Sequence, residues 1–329
     1  MNLGIIGSGM IVQDFLTIAD LIDDMKLEAI LGRKESIEKI NFLANKYNIN
    51  KTYYDYDELL NDDNIDTVYI AVPNHLHFEF TKKALDHKKH VICEKPFTSN
   101  LDELKELITL SKQNNCLLFE AITNQYLPAY KKIKKQLPSI GKISIVSCNF
   151  SQYSSRYDDF KKGIILPAFD VNKSGGALMD LNVYNIHFVV GLFGKPEHVH
   201  YYANIEHDID TSGVLCLNYP NFEAVCIAAK DCSAPISTTI QGDKGCIKID
   251  GPVSVLSDVQ ILKNTENSER IDTGNYHRLY SEFKAFTTYI DNLNFKACNK
   301  MLEHSHIVMD VLTQARKSAN IVFGVEKNN

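Results

Sequence analysis

The sequence predicts an α/β protein whose N-terminal part is a doubly wound parallel sheet and whose C-terminal part is an α+β domain built on a mostly antiparallel sheet. Three observations carry this. Over residues 1–121 short apolar runs alternate with segments of helical spacing, and strands covered on both faces read as unbroken apolar runs. After about Ala121 strand-like runs follow one another through short turns instead, as in a meandering antiparallel sheet. A chain of 329 residues also exceeds what one core usually organises, so two domains are expected, divided at 121/122.

Leu3 to Ile6 is a first strand, and Phe15, Leu16, Ile18, Ala19 and Ile22 give helical spacing over Asp14 to Ile22. Leu27 to Leu31 is a second strand. Ser36 can cap a helix to about Tyr47, with Ile37, Ile40, Leu43 and Ala44 on one face. A short helix over Tyr56 to Leu60 precedes a third strand, Thr67 to Val72, that stops at Pro73. Helices over Phe78 to His87 and Leu101 to Gln113 then alternate with strands over His90 to Cys93 and Leu117 to Glu120. In the second half a helix over Leu127 to Leu137 leads into strands at 142–153, 198–205, 213–219, 222–230, 236–241 and 245–249. Tyr219-Pro220-Asn221 and Gly242-Asp243-Lys244-Gly245 read as hairpin turns. One helix, Gly176 to Phe193, interrupts the strands, and two more, at 276–292 and 302–323, close the chain.

Composition narrows the function. Hydrophobic residues make up 44% and charged residues 23% of the chain, ordinary for a globular protein. The net charge is −6 and no Lys/Arg cluster dominates, which argues against nucleic acid or an acidic membrane as partner. Lys131, Lys132, Lys134 and Lys135 sit at helical spacing and read as a solvated face. The eight cysteines form no CxxC and no Cys-His zinc spacing. A metal is therefore not expected, and reduced thiols suit a cytoplasmic location. The N-terminus opens directly as a strand without a basic leader. The apolar stretch Ala177 to Gly194 is broken by Asp180 and Gly191, which speaks against a membrane span.

Gly7-Ser8-Gly9 joins the first strand to the first helix, followed by Met10 and Ile11. Glycines there allow a tight turn and close backbone approach to a pyrophosphate at a helix start. Val12 occupies the third glycine position of that fingerprint. Dinucleotide-binding folds that take NAD place a carboxylate at the end of the second strand. Here that end reads Ile30-Leu31-Gly32-Arg33-Lys34. Two cations in place of an acid favour the 2′-phosphate of NADP, with NAD as the alternative and a plain solvated loop as the bland one. Ala71-Val72-Pro73-Asn74, with His77, leaves the third strand, and Glu94-Lys95-Pro96 leaves the fourth. Both lie at carboxyl ends of parallel strands, where ligands bind in such sheets. Lys95 precedes a proline, which biases its backbone to be extended. Beside an oxidised nicotinamide its ammonium can serve as acid or base.

The set Gly7-Ser8-Gly9, Ala71-Val72-Pro73-Asn74 with His77, Glu94-Lys95-Pro96 and Gly175-Gly176-Ala177-Leu178-Met179-Asp180-Leu181-Asn182-Val183-Tyr184 resembles the Gfo/Idh/MocA oxidoreductase family. The resemblance runs to the last helix around Met309-Asp310-Val311-Leu312 and Arg316. It implies a Rossmann domain at 1–121 and, at 122–329, a substrate-binding and oligomerisation domain with a large open sheet. It further implies a catalytic or substrate-orienting Lys95, Glu94 at the nicotinamide ribose, and Asp180 in the site. Many members carry histidine where this chain has Tyr184. That is similar to the dihydrodiol dehydrogenase and glucose-fructose oxidoreductase branch, and it argues against an inositol dehydrogenase. Asn182 replaces a frequent glycine.

Spacing adds that Asp180, Tyr184 and His187 share a helix face, with the Gly-Gly pair letting backbone approach a ligand. His187 reads either as a substrate contact or as a hydrogen-bonded structural histidine. The segment from Ser154 to Phe169 is a long connection of the kind that forms lids, with Arg156 and Tyr157 as candidate substrate contacts. The expected activity is hydride transfer between NAD(P) and a carbohydrate-like or diol alcohol or carbonyl. Lys95 or Tyr184 would exchange the hydroxyl proton, and Asp180 would orient them. Two rivals share the fold: a non-catalytic nucleotide-binding regulator and a glycoside hydrolase that uses NAD transiently. An open sheet with one apolar face predicts a homodimer or homotetramer.

Overall fold

The computed structural model describes residues 1–264 and 268–327. The chain divides into two compact units, Met1–Ala121 with Leu279–His306, and Ile122–Arg278 with Ile307–Asn329. The segment Leu279–His306, read from the sequence as part of the second domain, therefore returns to the first unit. Its aromatics explain this. The helix Tyr280–Asp291 (α9) stacks Phe283 on Phe15 at 4.1 Å and meets Tyr69 edge-on at 5.0 Å. All three rings are fully buried, where aromatic pairs add to plain area burial.

The first unit holds a six-stranded parallel sheet in the order β3-β2-β1-β4-β5-β6. Its strands are β1 (Asn2–Ile6), β2 (Lys26–Leu31), β3 (Lys51–Tyr53), β4 (Thr67–Ile70), β5 (His90–Glu94) and β6 (Leu118–Ala121). Its helices before α9 are α1 (Met10–Leu16), α2 (Ile37–Lys46), α3 (Tyr56–Leu60), α4 (His77–Asp86) and α5 (Leu101–Gln113). The short, polar β3 escaped the sequence reading because Lys51-Thr52-Tyr53 offers no apolar run. Helix α1 starts four residues earlier than its apolar spacing suggested and ends at Leu16, before a 3-10 turn. Ser36 makes no side-chain cap. Asp55 and Asn100 do cap, accepting from Asp57 and Glu58 N–H and from Glu103 N–H. Edge strand β6 is served by Cys298 of α10 (Phe295–Ser318), whose Sγ donates to Leu118 O and accepts from Leu118 N–H.

The second unit holds an eight-stranded sheet, β14-β13-β12-β11-β7-β10-β9-β8. These are β7 (Ile143–Ser151), β8 (His198–Glu206), β9 (Ile209–Tyr219), β10 (Phe222–Ala229), β11 (Ser237–Gly242), β12 (Gly245–Asp250), β13 (Asp258–Lys263) and β14 (Glu269–Ile271). All pairings are antiparallel except β10 with β7. The last two strands were missing from the sequence reading. Burial alternates along β9, β10 and β12, as expected for a sheet with one covered face. The helices are α6 (Pro128–Gln136), α7 (Tyr157–Lys161) and α8 (Val183–Phe193). The stretch Val171–Phe193 is apolar and long enough to cross a membrane by composition, but 72% of its apolar window is buried inside the protein.

Candidate active site

In the first unit the strand order reverses between β1 and β4, the crevice where such sheets take ligands. Gly7 sits there with φ of +115°, and a Cβ on it would lie 2.5 Å from Ala71 O. Only glycine fits both the conformation and the approach. At Gly9, which caps α1, a Cβ would meet nothing within 4 Å, and the first turn holds no acidic residue. Met10 stands 72% exposed beside it. A backbone cradle that is open, unacidic and glycine-turned fits a pyrophosphate. Arg33 and Lys34 are exposed just beyond β2, and Ile30-Leu31-Gly32 before them carries no carboxylate.

The two loops that leave β4 and β5 are joined by His77. Its ring lies 2.8 Å from Pro96 O through Nδ1 and 2.9 Å from Val72 O through Nε2, and it is buried. Burial pushes its pKa down, and the charge of Lys95 adds to that against the pull of the two carbonyls. A neutral ring donates to one carbonyl at a time. His77, expected at the cofactor, thereby also positions Val72 and Pro96. Pro73 is exposed, and Asn74 opens the 3-10 turn that leads into α4. The Lys95–Pro96 peptide is cis. Lys95 is half-buried, while Glu94 before it is buried and accepts from Tyr69 Oη at 2.6 Å. Glu120, missed from the sequence, accepts from Phe97 N–H at 3.1 Å and from Ser305 Oγ at 2.6 Å. This buried carboxylate anchors the chain two residues past Lys95.

In the second unit Asp180 lies in a π-helical turn, Leu178–Asn182, that runs into α8. Such turns insert a residue into the helical register. Asp180, Leu181 and Tyr184 remain half-exposed, while His187 is fully buried. Asp180 and Tyr184 thus stay accessible, and His187 does not. The turn is pinned from outside. Asn182 Nδ2 donates to Cys226 O at 3.0 Å and Asn182 Oδ1 accepts from Asn185. Asn185 also donates to Ile227 O. Asn182 thus has a structural account: it and Asn185 tie the turn to β10. Asn124 and Gln125 donate to the carbonyls of Tyr184 and His187.

The Gly-Gly pair makes room for the protein itself. A Cβ on Gly175 would lie 2.7 Å from Pro167 O, and one on Gly176 would lie 2.0 Å from Asp210 Oδ1. Asp210 is fully buried and accepts from Leu178 N–H at 2.6 Å and Tyr201 Oη at 2.9 Å. Burial raises its pKa to about 6 even though these donors and the charge of Lys230 oppose the rise. The long connection is ordered by stacked rings, Tyr157 on Phe160 and Phe160 on Phe169. Tyr157 Oη donates to Glu206 at 2.7 Å, and that bond, followed by burial, pushes the phenol up to about 12. Arg156 is half-buried at the start of α7.

A doubly wound sheet with a glycine cradle at its switch point, followed by a unit that presents a carboxylate and a phenol on one helical turn, defines a nicotinamide-dependent oxidoreductase. Two family models match. One, described as the oxidoreductase family with NAD-binding Rossmann fold, matches residues 1–122, and the Gfo/Idh/MocA C-terminal domain matches residues 131–248. The chain belongs to the Gfo/Idh/MocA oxidoreductase family. It is 35% identical to the scyllo-inositol 2-dehydrogenase (NADP(+)) IolU of Bacillus subtilis, covering 99% of both chains. It is 24% identical to trans-1,2-dihydrobenzene-1,2-diol dehydrogenase of Mus musculus, covering 98% of both. The solved structure of the 3-ketoreductase KijD10 from Actinomadura kijaniata, with NADP and TDP-benzene, superposes with a TM-score of 0.83 over 97% of both chains at 19% identity.

Proposed function

We propose that the protein is an NADP-dependent dehydrogenase or reductase acting on a cyclic polyol or vicinal diol and the matching ketone. The Gly7 cradle against Ala71 carries the nucleotide half of this reading, and the two curated relatives support the substrate class. An inositol dehydrogenase among them reopens the polyol class that Tyr184 had argued against. Gly7, Gly9, Met10, Ile11, Ala71, Val72, Pro73 and Asn74 would hold the dinucleotide, with Glu94 at the nicotinamide ribose and Arg33 and Lys34 at the 2′-phosphate. Bound NADP supplies the hydride acceptor or donor. This chain supplies the proton path: Lys95 or Tyr184 takes the hydroxyl proton in oxidation and returns it in reduction, and Asp180 orients the pair. Arg156 and Tyr157 are assigned to the far end of the substrate, whereas the burial of His187 supports a structural part for it. Residues 1–121 would serve the nucleotide and 122–329 the substrate and self-association.

Exposed Ile145, Tyr202 and Ile205 on the eight-stranded sheet favour a homodimer or homotetramer through that sheet. The eight free cysteines favour a reducing, cytoplasmic setting. The test is turnover of scyllo-inositol and trans-1,2-dihydrobenzene-1,2-diol with NADP and NAD in parallel, followed at the nicotinamide absorbance. Net reduction of cofactor is expected, and its absence with product formed would favour a hydrolase. Lys95→Ala should lower turnover by about a hundredfold or more; wild-type turnover in that variant would overturn the assignment.

A further inference from the structure

We propose that Lys230 is a positioning residue that fixes and charges Asp180, a role resting on the reading of Asp180 above. Lys230 follows β10, and its backbone is held on both sides. Its N–H donates to Thr211 O at 2.8 Å and its carbonyl accepts from Ser154 N–H at 2.8 Å. The side chain runs inward, only 3% exposed. Its ammonium meets three partners: Ala168 O at 2.5 Å, Asp180 Oδ2 at 2.9 Å and the face of the Phe169 ring at 4.3 Å. Ala168 O also accepts Gly176 N–H at 3.1 Å. One ammonium therefore joins the 3-10 turn at Pro167–Phe169, the Gly-Gly segment and the π-turn that carries Asp180.

A buried ammonium is costly to desolvate, and a buried pair rarely repays that in stability against an apolar substitute. Its use here is geometric. Asp180 is 35% exposed while its partner is almost wholly buried, so the pair pins the carboxylate through Oδ2 from the protein interior. Lys230 itself is too enclosed to touch a substrate. The other ionisable groups around the pair are Asp210 on β9, which feels Lys230 and caps Leu178, Tyr201 on β8, which donates to Asp210, Asp231 beside Lys230, and Tyr184 one turn along. Asp231 is occupied by Thr211 and Ser212 hydroxyls at 2.7 Å. Lys230 forms an ion pair with Asp180 at 2.9 Å.

The first measurement needs no substrate. Aspartate side chains are labelled with carbon-13, and the Asp180 signal is assigned by its loss in Asp180→Asn. In Lys230→Gln its titration midpoint should rise by about one pH unit or more, because the favouring charge is gone. An unmoved midpoint overturns the proposal. The second measurement is the pH profile of kcat/KM with scyllo-inositol and NADP, or whichever of the two alcohols above turns over. The acidic limb should move to higher pH in Lys230→Gln and return to the wild-type position in Lys230→Arg. The Arg variant should still lose several-fold in kcat, because a planar guanidinium cannot meet the three partners as a compact ammonium does. If the Gln variant does not fold, Lys230→Arg decides: lowered kcat with an unmoved limb supports the role, and wild-type kcat ends it. Asp180→Asn measured alongside separates the two readings. Wild-type turnover there refutes Asp180 itself, whereas loss there with no shift in Lys230→Gln refutes only Lys230.

Discussion

In the first unit the candidate site rides on backbone, and in the second it rides on side chains. The cradle at Gly7 is set by β1, a turn and α1 within about ten residues, and His77 and Glu120 bind the Lys95 loop by its backbone groups. Asp180 depends instead on contacts reaching far along the chain: Asp210 under Leu178, Asn182 on Cys226 O, and Lys230 on Asp180. The glycine turn of the first arrangement can be read locally, while the buried His77 and Glu120 that hold the Lys95 loop cannot. The second fails if any one buried partner is lost, because a buried polar group left alone costs about 1–3 kcal/mol.

Two alanine substitutions should separate the two arrangements most widely. Gly176→Ala drives a Cβ into Asp210 at a φ of +103° and should cost about 3 kcal/mol or more. Thermal unfolding would register that, while the NADP dissociation constant stays near wild type. Gly7→Ala, at a φ of +115° against Ala71 O, should cost stability as well, but it alone should also lower NADP affinity, about tenfold or more by titration calorimetry. Equal effects of both on both readouts would show that the units are not fixed independently.

Next in size is a pH effect confined to the second unit. Asp210 keeps its proton to about pH 6 in the folded chain but to only about pH 4 when unfolded. Between those values the native state binds more protons than the unfolded one, so stability falls as pH rises and is recovered on acidification. The swing is about 2 kcal/mol. Asp210→Asn, which can keep an acceptor for Leu178 N–H, should flatten it in unfolding curves taken at pH 5 and pH 7. A wild-type slope in that variant would remove Asp210 as the cause.

The smallest effect expected is at the exposed cations. Arg33→Ala with Lys34→Ala should lower the preference for NADP over NAD by about tenfold, less in high salt, since exposed charges are screened. Preference unchanged at low salt would leave the 2′-phosphate without these partners.

From the residues alone came five of the six parallel strands of the first unit, the glycine turn, the missing acid after β2 and the Glu94-Lys95 pair, because each is a rule about neighbours along the chain. The sequence also placed α3 and α5 at their observed bounds. Only the tertiary structure decided that His187 is buried, that the two glycines make room for Asp210 and the 167–168 backbone, and that residues 279–306 pack with the first unit. Lys230 escaped notice for the same reason: at the end of an apolar run it could have been a surface charge. What it pairs with is set 50 residues away by a π-turn whose extra residue no apolar spacing announces, and burial partners at that distance are fixed by packing rather than by local preference.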